Sequence, residues 1–170
     1  MAAKTATNPA LMQSEVGRHM SKARVLSDGS ATWKEGEFLR TDDGGLLYEA
    51  TTGAALGVGV DALNYFALTD LDTATTGVDT NYRTVGVCHV DDIYEINELD
   101  GTVAATTIGN WYDLNVTSNI CTVDISTSTN AVFQVVEPKW RRETLLNKST
   151  DTLALMYVQI LERSLHAAKV

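Results

Sequence analysis

Residues 31–62 read ATWKEGEFLRTDDGGLLYEATTGAALGVGVDA, and this stretch decides the fold class. Two runs rich in apolar residues, 32–40 and 46–50, flank the sequence Asp-Asp-Gly-Gly at positions 42–45. Because aspartate and glycine adopt the positive φ angles of a tight reversal, the two runs predict antiparallel strands of a hairpin. A third run, 56–60, follows a bend of small residues and predicts a third strand. The stretch therefore predicts a β-hairpin unit, and nothing in it has a catalytic pattern.

The chain beyond this unit continues with short runs that suit β-strands. They lie at residues 84–90, 91–97, 111–116, 121–125 and 132–136. The last apolar run, residues 152–163, fits a helix and a strand equally by periodicity, and its position after a series of strands favours a closing strand. No repeat of fixed period is visible in the sequence.

These patterns predict a mainly β chain in three parts. Residues 1–30 form an extended N-terminal arm, and residues 31–82 form the β-hairpin unit and its loop. Residues 83–170 form a small antiparallel β-barrel or sandwich with a C-terminal closing strand. The arm is polar, so we expect it to be ordered only by something on which it lies.

The net charge of −9 is unevenly distributed. Residues 25–138 carry three Lys or Arg and eighteen Asp or Glu, whereas residues 1–24 and 139–170 are both basic. An acidic body repels nucleic acid, because phosphate binding needs a basic surface. The basic ends instead predict docking onto acidic protein surfaces, including neighbouring copies of the same chain.

Two features of the sequence bear on localisation. The first residues lack the apolar core of a secretory signal. No apolar run approaches the ~20 residues that cross a bilayer. We therefore expect synthesis in a cytosol and no membrane partner.

The two cysteines, Cys88 and Cys121, are too few for a disulfide framework. A disulfide bond between them is geometrically possible, but synthesis in a cytosol does not favour it. Cys88 is instead expected to be a small buried apolar residue. Cys88 and His89 are neighbours, so on a strand they point to opposite faces and do not share a metal ion. No nucleophile elbow, phosphate loop, dinucleotide fingerprint or zinc-protease motif is present. We therefore expect no metal, no cofactor and no enzymatic activity.

Two groups of carboxylates need an interpretation. Asp70, Asp72 and Asp79 share a loop, and loop carboxylates of this kind hold calcium in some proteins, although the order of an EF-hand is missing. Solvated carboxylates are the alternative. The second group is the acidic run Asp91, Asp92, Glu95, Glu98 and Asp100. A run of charges alone does not make a catalytic site, so we expect a solvated face.

The residues expected to contact a partner are cations of the two ends and two large aromatic residues, because aromatic side chains anchor interfaces. They are Lys4, Arg18, Lys22, Arg24, Trp33, Trp140, Arg141 and Arg142. A tryptophan that caps the barrel end is the alternative for Trp140. Trp111 and Tyr112 alternate along a predicted strand, so one of the two belongs to the core.

The turn-and-strand pattern of the hairpin unit resembles that of the head decoration (cement) proteins of tailed bacteriophages. The resemblance is carried by Phe38-Leu39-Arg40, the acidic glycine turn, Leu46-Leu47-Tyr48, and the small-residue stretches 50–55 and 57–62. Residues 84–136, especially 109–124 and 130–136, are similar to a small β-barrel that recurs in phage structural proteins. This chain differs from the shortest proteins of this class because it carries the second β unit and the C-terminal strand.

The resemblance implies a protein that binds the outside of a preassembled capsid after its synthesis in the host cytoplasm. Such a protein contacts the major capsid protein and other copies of itself, usually as a homotrimer, and clamps the shell subunits together. A basic N-terminal arm suits this role, since it is able to add a strand to an acidic shell protein. The alternative is a carbohydrate-binding or adhesion module in which exposed Trp33, Trp111 or Trp140 stacks on sugar rings.

Overall fold

The computed structural model describes residues 7–13, 22–42, 44–52, 62–72, 82–99, 107–137 and 154–161, and these residues contain eleven β-strands. The strands are β1 (Ala10–Gln13), β2 (Lys22–Leu26), β3 (Phe38–Thr41), β4 (Leu47–Glu49), β5 (Ala62–Phe66), β6 (Tyr82–Val87), β7 (Ile93–Asn97), β8 (Trp111–Thr117), β9 (Ile120–Asp124), β10 (Phe133–Val135) and β11 (Leu155–Ile160). The predicted mainly β fold is confirmed, and the last apolar run contains a strand. Nowhere in these ranges does a helix have the length and apolar character needed to cross a membrane.

The strands form two sheets, and all pairs of named strands are antiparallel. One sheet has the order β2-β6-β5-β3-β4, and the other has the order β1-β7-β11-β10-β8-β9. Each sheet curls until its last strand reaches the end of an early strand. A parallel bridge between Ser27 and Leu47 closes the first sheet, and a parallel bridge between Glu98 and Val123 closes the second.

The two sheets repeat one topology. We call β2–β6 the first unit and β7–β11 the second unit. In each unit the first strand pairs with the fifth, the fifth with the fourth, the fourth with the second, and the second with the third. Even the hydrogen bond beside the closing bridge recurs: Asp28 N donates to Leu47 O at 3.0 Å, and Leu99 N donates to Val123 O at 2.9 Å. The described strands therefore repeat one topology, a structural duplication that no repeat in the sequence reveals.

A glycine turn before the second strand of each unit supports the duplication. Gly36 and Gly109 have φ angles of 83° and 84°, in the left-handed region that favours glycine. Their amides donate to Ala67 O at 2.9 Å and to Val135 O at 2.8 Å. Each glycine lies two residues before a strand, so the two turns start β3 and β8 in the same way.

The first unit has its own apolar core, and one of its faces adds to the core of the second unit. Its own core consists of Ala31, Trp33, Leu39, Leu47, Ala67 and Val85. Phe38, Leu63 and Phe66 face the other way, into the core of the second unit. A register shift between β3 and β5 opposes one residue of β3, Arg40, with two of β5, which places Leu63 and Phe66 on one side.

Phe38 lies at the centre of the contact between the units. Its ring centroid is 5.5 Å from that of Phe66 in the first unit. In the second unit it is 5.0 Å from Tyr94 and 5.4 Å from Phe133. Edge-to-face and tilted rings at these distances attract one another beyond their burial of surface. The contact makes the two units one packed body.

The parts predicted from the sequence differ from these units at their limits. Residues 10–13 and 22–26 of the predicted arm are extended, but they are ordered by the chain's own β7 and β6. The predicted boundary at residue 82 falls at the start of β6, which pairs with β2 and β5 and thus belongs to the first unit. The predicted strand at 56–60 lies outside the described residues.

We predict that Phe38→Ala lowers the free energy of unfolding by about 3–5 kcal/mol, because it empties the centre of the core that joins the units. Trp111→Ala is the matched control, since Trp111 follows Gly109 as Phe38 follows Gly36, yet its side chain is 51% exposed. The control should change stability by less than about 1 kcal/mol. Urea unfolding followed by circular dichroism measures both, and equal losses would contradict the role of Phe38.

Candidate functional site

Strand β2 carries two of the predicted contact residues at a margin of the first unit. Lys22 and Arg24 are exposed and lie two residues apart, so both point to one face of the strand. Tyr82, at the start of the neighbouring strand β6, is 58% exposed, and the Arg24 guanidinium lies 5.5 Å from its ring centroid. Thr84, opposite Arg24, is also exposed. We call these four residues the basic edge.

The basic edge suits recognition of a negatively charged protein segment. It combines two cations with an aromatic ring, and the ring favours a guanidinium above it. Charged residues on an edge strand also prevent pairing with strands of like charge. Tyr82 is not among the residues predicted from the sequence, and Lys22 and Arg24 were predicted to belong to an arm. The alternation of charged and apolar residues in KARVL, residues 22–26, is the signal that predicts a strand there.

The other predicted contact residues are not brought to this edge. Trp33 is only 2% exposed, and its indole N–H donates to Thr69 O at 3.1 Å. Its prediction as an exposed contact or sugar-stacking residue is wrong, because its ring fills the core of the first unit. The remaining predicted residues, Lys4, Arg18, Trp140, Arg141 and Arg142, lie outside the described residues.

A second surface lies beside Trp111, at the start of β8. A shallow cleft of about 370 Å³ is lined by Gly109, Asn110, Trp111, Tyr112 and Ser128. On the opposing strand, the Gln134 amide donates to Gly109 O at 3.1 Å. Tyr112 packs against the core while Trp111 is half exposed, which confirms that one of the two belongs to the core. The cleft thus offers an indole face next to neutral polar groups.

Glu37 is a buried carboxylate at the start of β3. Its side chain is fully buried; Oε2 accepts a hydrogen bond from Lys34 N at 3.0 Å, while Oε1 finds no hydrogen-bond partner in the described ranges. Burial raises the pKa of Glu37 to about 7, against the lowering effect of the Lys34 hydrogen bond, and the charge of Glu49 raises it further. Glu37 therefore changes its protonation near neutral pH.

Two carboxylates of the acidic run at 91–100 contradict the expected solvated face. Asp92 and Glu98 are both fully buried. Asp92 accepts hydrogen bonds from His89 N at 3.1 Å and from the Tyr94 hydroxyl at 3.3 Å, so it holds the turn that joins the units. Glu98 lies in the closing bridge of the second unit. Their roles are structural.

The remaining candidate groups from the sequence have plain structural roles. Asp70 and Asp72 both bind the Lys34 ammonium, whose single charge offsets one of these two carboxylates, and Asp79 lies outside the described residues. Cys88 and Cys121 are both buried free thiols. Burial raises the pKa of the Cys88 thiol to about 12, so this thiol stays protonated at neutral pH. Within the described ranges no three His, Cys, Asp or Glu residues group in a way that holds a metal ion.

Comparison of the chain with models of protein families, with curated proteins and with solved structures finds no match.

We predict that Glu37→Gln changes how stability depends on pH. Between pH 4.5 and about 7 the folded protein keeps a proton on Glu37 that the unfolded chain releases, so stability falls as pH rises through this range. Glu37→Gln lacks this loss. Between about pH 5 and pH 8 its free energy of unfolding should therefore rise relative to that of wild type by on the order of 2–3 kcal/mol. Urea unfolding at both pH values measures the difference.

The control for this prediction is Glu35→Gln, which removes an exposed carboxylate two residues away. A profile of Glu37→Gln that runs parallel to that of wild type, or the same displacement in both variants, would contradict the assignment.

Proposed function

We propose that this chain is a structural protein of a virus particle, which binds the outside of a bacteriophage capsid and stabilises contacts between subunits of the major capsid protein. The observation that carries the proposal is the basic edge, where Lys22 and Arg24 are exposed on a strand at the margin of the first unit. Residues 25–138, which form most of the described body, are strongly acidic, so this edge is a distinct site for an acidic protein surface. The resemblance of the hairpin unit to decoration proteins names the class of assembly.

The architecture is consistent with attachment to a repetitive shell. The two units form one packed body through Phe38, so force applied to one unit passes to the other. Association with other copies of the chain, as a homotrimer, multiplies the number of basic edges that engage the shell at once. Several weak contacts held together give strong overall attachment. The proposed role needs neither a cofactor nor an active site.

We predict that Lys22→Gln combined with Arg24→Gln weakens attachment to assembled shells of the major capsid protein from the same virus by about tenfold or more. Co-sedimentation with purified shells that lack this chain measures the affinity. Raising the salt concentration should weaken wild-type binding, because exposed charges are screened. The difference in affinity between wild type and the double variant should therefore become smaller.

A charge-matched control keeps Lys22 and Arg24 and replaces two exposed threonines on other surfaces, Thr69→Glu and Thr129→Glu. It changes the net charge by the same amount, so it should bind shells nearly as well as wild type. Equal weakening by both double variants would show a general charge effect and would count against the basic edge. An absence of wild-type binding to the shells would overturn the proposed function.

The cleft beside Trp111 favours a second function, binding of a carbohydrate. An exposed indole face stacks on the C–H face of a sugar, and Asn110 and Ser128 offer an amide and a hydroxyl for its hydroxyl groups. Among the described residues that line the cleft, Tyr112 is the only ionisable one, which fits a neutral glycan. Of the described tryptophans, Trp111 is therefore the one that supports an adhesion module, because Trp33 is buried.

We predict for this second function that a neutral oligosaccharide binds with millimolar to high-micromolar affinity and quenches tryptophan fluorescence. Trp111→Ala should abolish binding. Tyr82→Ala removes an equally exposed aromatic residue elsewhere and should leave it unchanged. A glycan array without selective binding by wild type would exclude this function.

A further inference from the structure

Strand β1 shows how one unit of this fold accepts an additional strand. It pairs antiparallel with β7 on the edge opposite β11, with Ala10 opposite Glu95, Leu11 opposite Tyr94 and Gln13 opposite Ile93. A strand of only four residues thus completes the edge of the second unit.

Residues just before β1 anchor it to the same unit. The Asn8 side chain acts like a peptide group: its amide donates to Asn119 O at 3.0 Å, and its carbonyl accepts from Cys121 N at 2.9 Å. Thr7 N donates to the Asn97 side chain at 3.0 Å. Pro9 is buried, and a Cβ atom at Gly36 would lie 2.7 Å from its carbonyl oxygen. These contacts hold β1 in place.

The duplication identifies the corresponding edge of the first unit. The closing bridges lie at Ser27 and Glu98, one residue after β2 and β7 respectively. Arg24 and Glu95 are equivalent positions, because each lies three residues before the closing bridge of its unit. Residues 22–24 of β2 are therefore equivalent to the residues of β7 that pair with β1. Among the described strands, β2 pairs with β6 alone. The counterpart of the β1 position is therefore bordered by Lys22 and Arg24.

We propose that the edge of β2 at residues 22–24 binds an extended acidic segment of a partner protein, which adds to the first unit as an antiparallel strand in the way that β1 adds to the second. This inference rests on the proposed attachment to an acidic protein surface and specifies its geometry. Backbone hydrogen bonds of strand addition supply affinity, and side chains that alternate along the added strand supply specificity.

The charges of the edge determine the sequence that fits. Lys22 and Arg24 share one face of β2, so side chains at alternate positions of the added strand lie beside them. Opposite charges on directly facing strands attract, whereas like charges repel. The partner segment therefore carries Asp or Glu at alternate positions. Residues 10–13 of a second copy carry no such charges, and the basic sequence around them disfavours that occupant.

The anchors of β1 set the expected strength. Leu26 occupies the position of Asn97, so the hydrogen bond that Asn97 Oδ1 accepts from Thr7 N has no counterpart at this position of the first unit. We therefore expect binding of a single segment in the range of about 0.1–1 mM, strengthened on a shell by the simultaneous engagement of several copies.

The experiment uses the full-length protein labelled with ¹⁵N and a short peptide that alternates Glu with Val or Thr. Chemical-shift changes should centre on residues 22–24, and hydrogen exchange of β2 amides should slow, because strand addition covers them. Two control peptides keep the length: one replaces every Glu with Lys, and the other has a proline at its centre, which removes a backbone donor. Both should bind at least about tenfold more weakly.

The charge-reversed variant Lys22→Glu with Arg24→Glu makes the test reciprocal. Both side chains are exposed, so the variant should fold as wild type does, which its urea midpoint verifies. It should bind the Lys peptide and reject the Glu peptide. The inference would be overturned if the charge-reversed variant still preferred the Glu peptide, or if the chemical-shift changes lay away from β2. It would also be overturned if the proline peptide bound equally well, or if the Glu peptide showed no binding up to about 5 mM.

The outcomes separate this inference from the proposed function. If the glutamine variants of Lys22 and Arg24 lose shell binding while the Glu peptide shows no strand pairing, attachment to the capsid stands and strand addition is wrong. If the Glu peptide pairs with β2 while wild type ignores capsid shells, the edge binds acidic strands and the capsid function is wrong.

Discussion

The contact of the Phe38 ring with Tyr94 and Phe133 is the interaction on which the rest of the structure depends. It places a side chain of the first unit inside the core of the second, so the core of the second unit is incomplete without the first. The register shift in β5 serves the same contact, because it turns Leu63 and Phe66 to the side of Phe38. Small five-stranded units bury little apolar surface alone, and sharing a core offsets this limit.

Duplication of a topology leaves equivalent positions free to take different roles. Phe38 and Trp111 follow the same glycine turn, yet one is buried between the units and the other is half exposed beside a cleft. Glu95 and Arg24 hold the same place before their closing bridges, yet one faces β1 and the other borders the basic edge. The two units pack head to tail, so that the outer face of the first unit lies against the core of the second. Because the two contacting faces differ, a different surface is exposed at each end of the pair.

Much of the strand content was predictable from local pattern, and the long-range arrangement was not. The run 91–97 alternates and contains the strand Ile93–Asn97, whereas the run 32–40 contains the turn at Gly36 and forms a strand only from Phe38. The duplication is defined by backbone pairs such as Ser27 with Leu47, and backbone pairing does not require that equivalent side chains match. Trp33, Asp92 and Glu98 were misjudged because burial of an aromatic or a carboxylate depends on partners distant in the chain. Of the candidate site, the cations of β2 were predicted, and the position of Tyr82 beside them was not.

The hydrogen bonds of Asn8 to Asn119 and Cys121 connect the start of the chain to a hairpin more than a hundred residues later. During translation the ribosome releases β1 long before β7 and β9 exist, so this segment waits without its partners while the first unit assembles. Asn8 is able to make these hydrogen bonds only after residue 121 has been synthesised. Closure of such a long loop comes late and slowly, since its entropy is lost before the distant contacts form. A polypeptide interrupted before β9 therefore lacks the hydrogen bonds that Asn8 makes to Asn119 and Cys121.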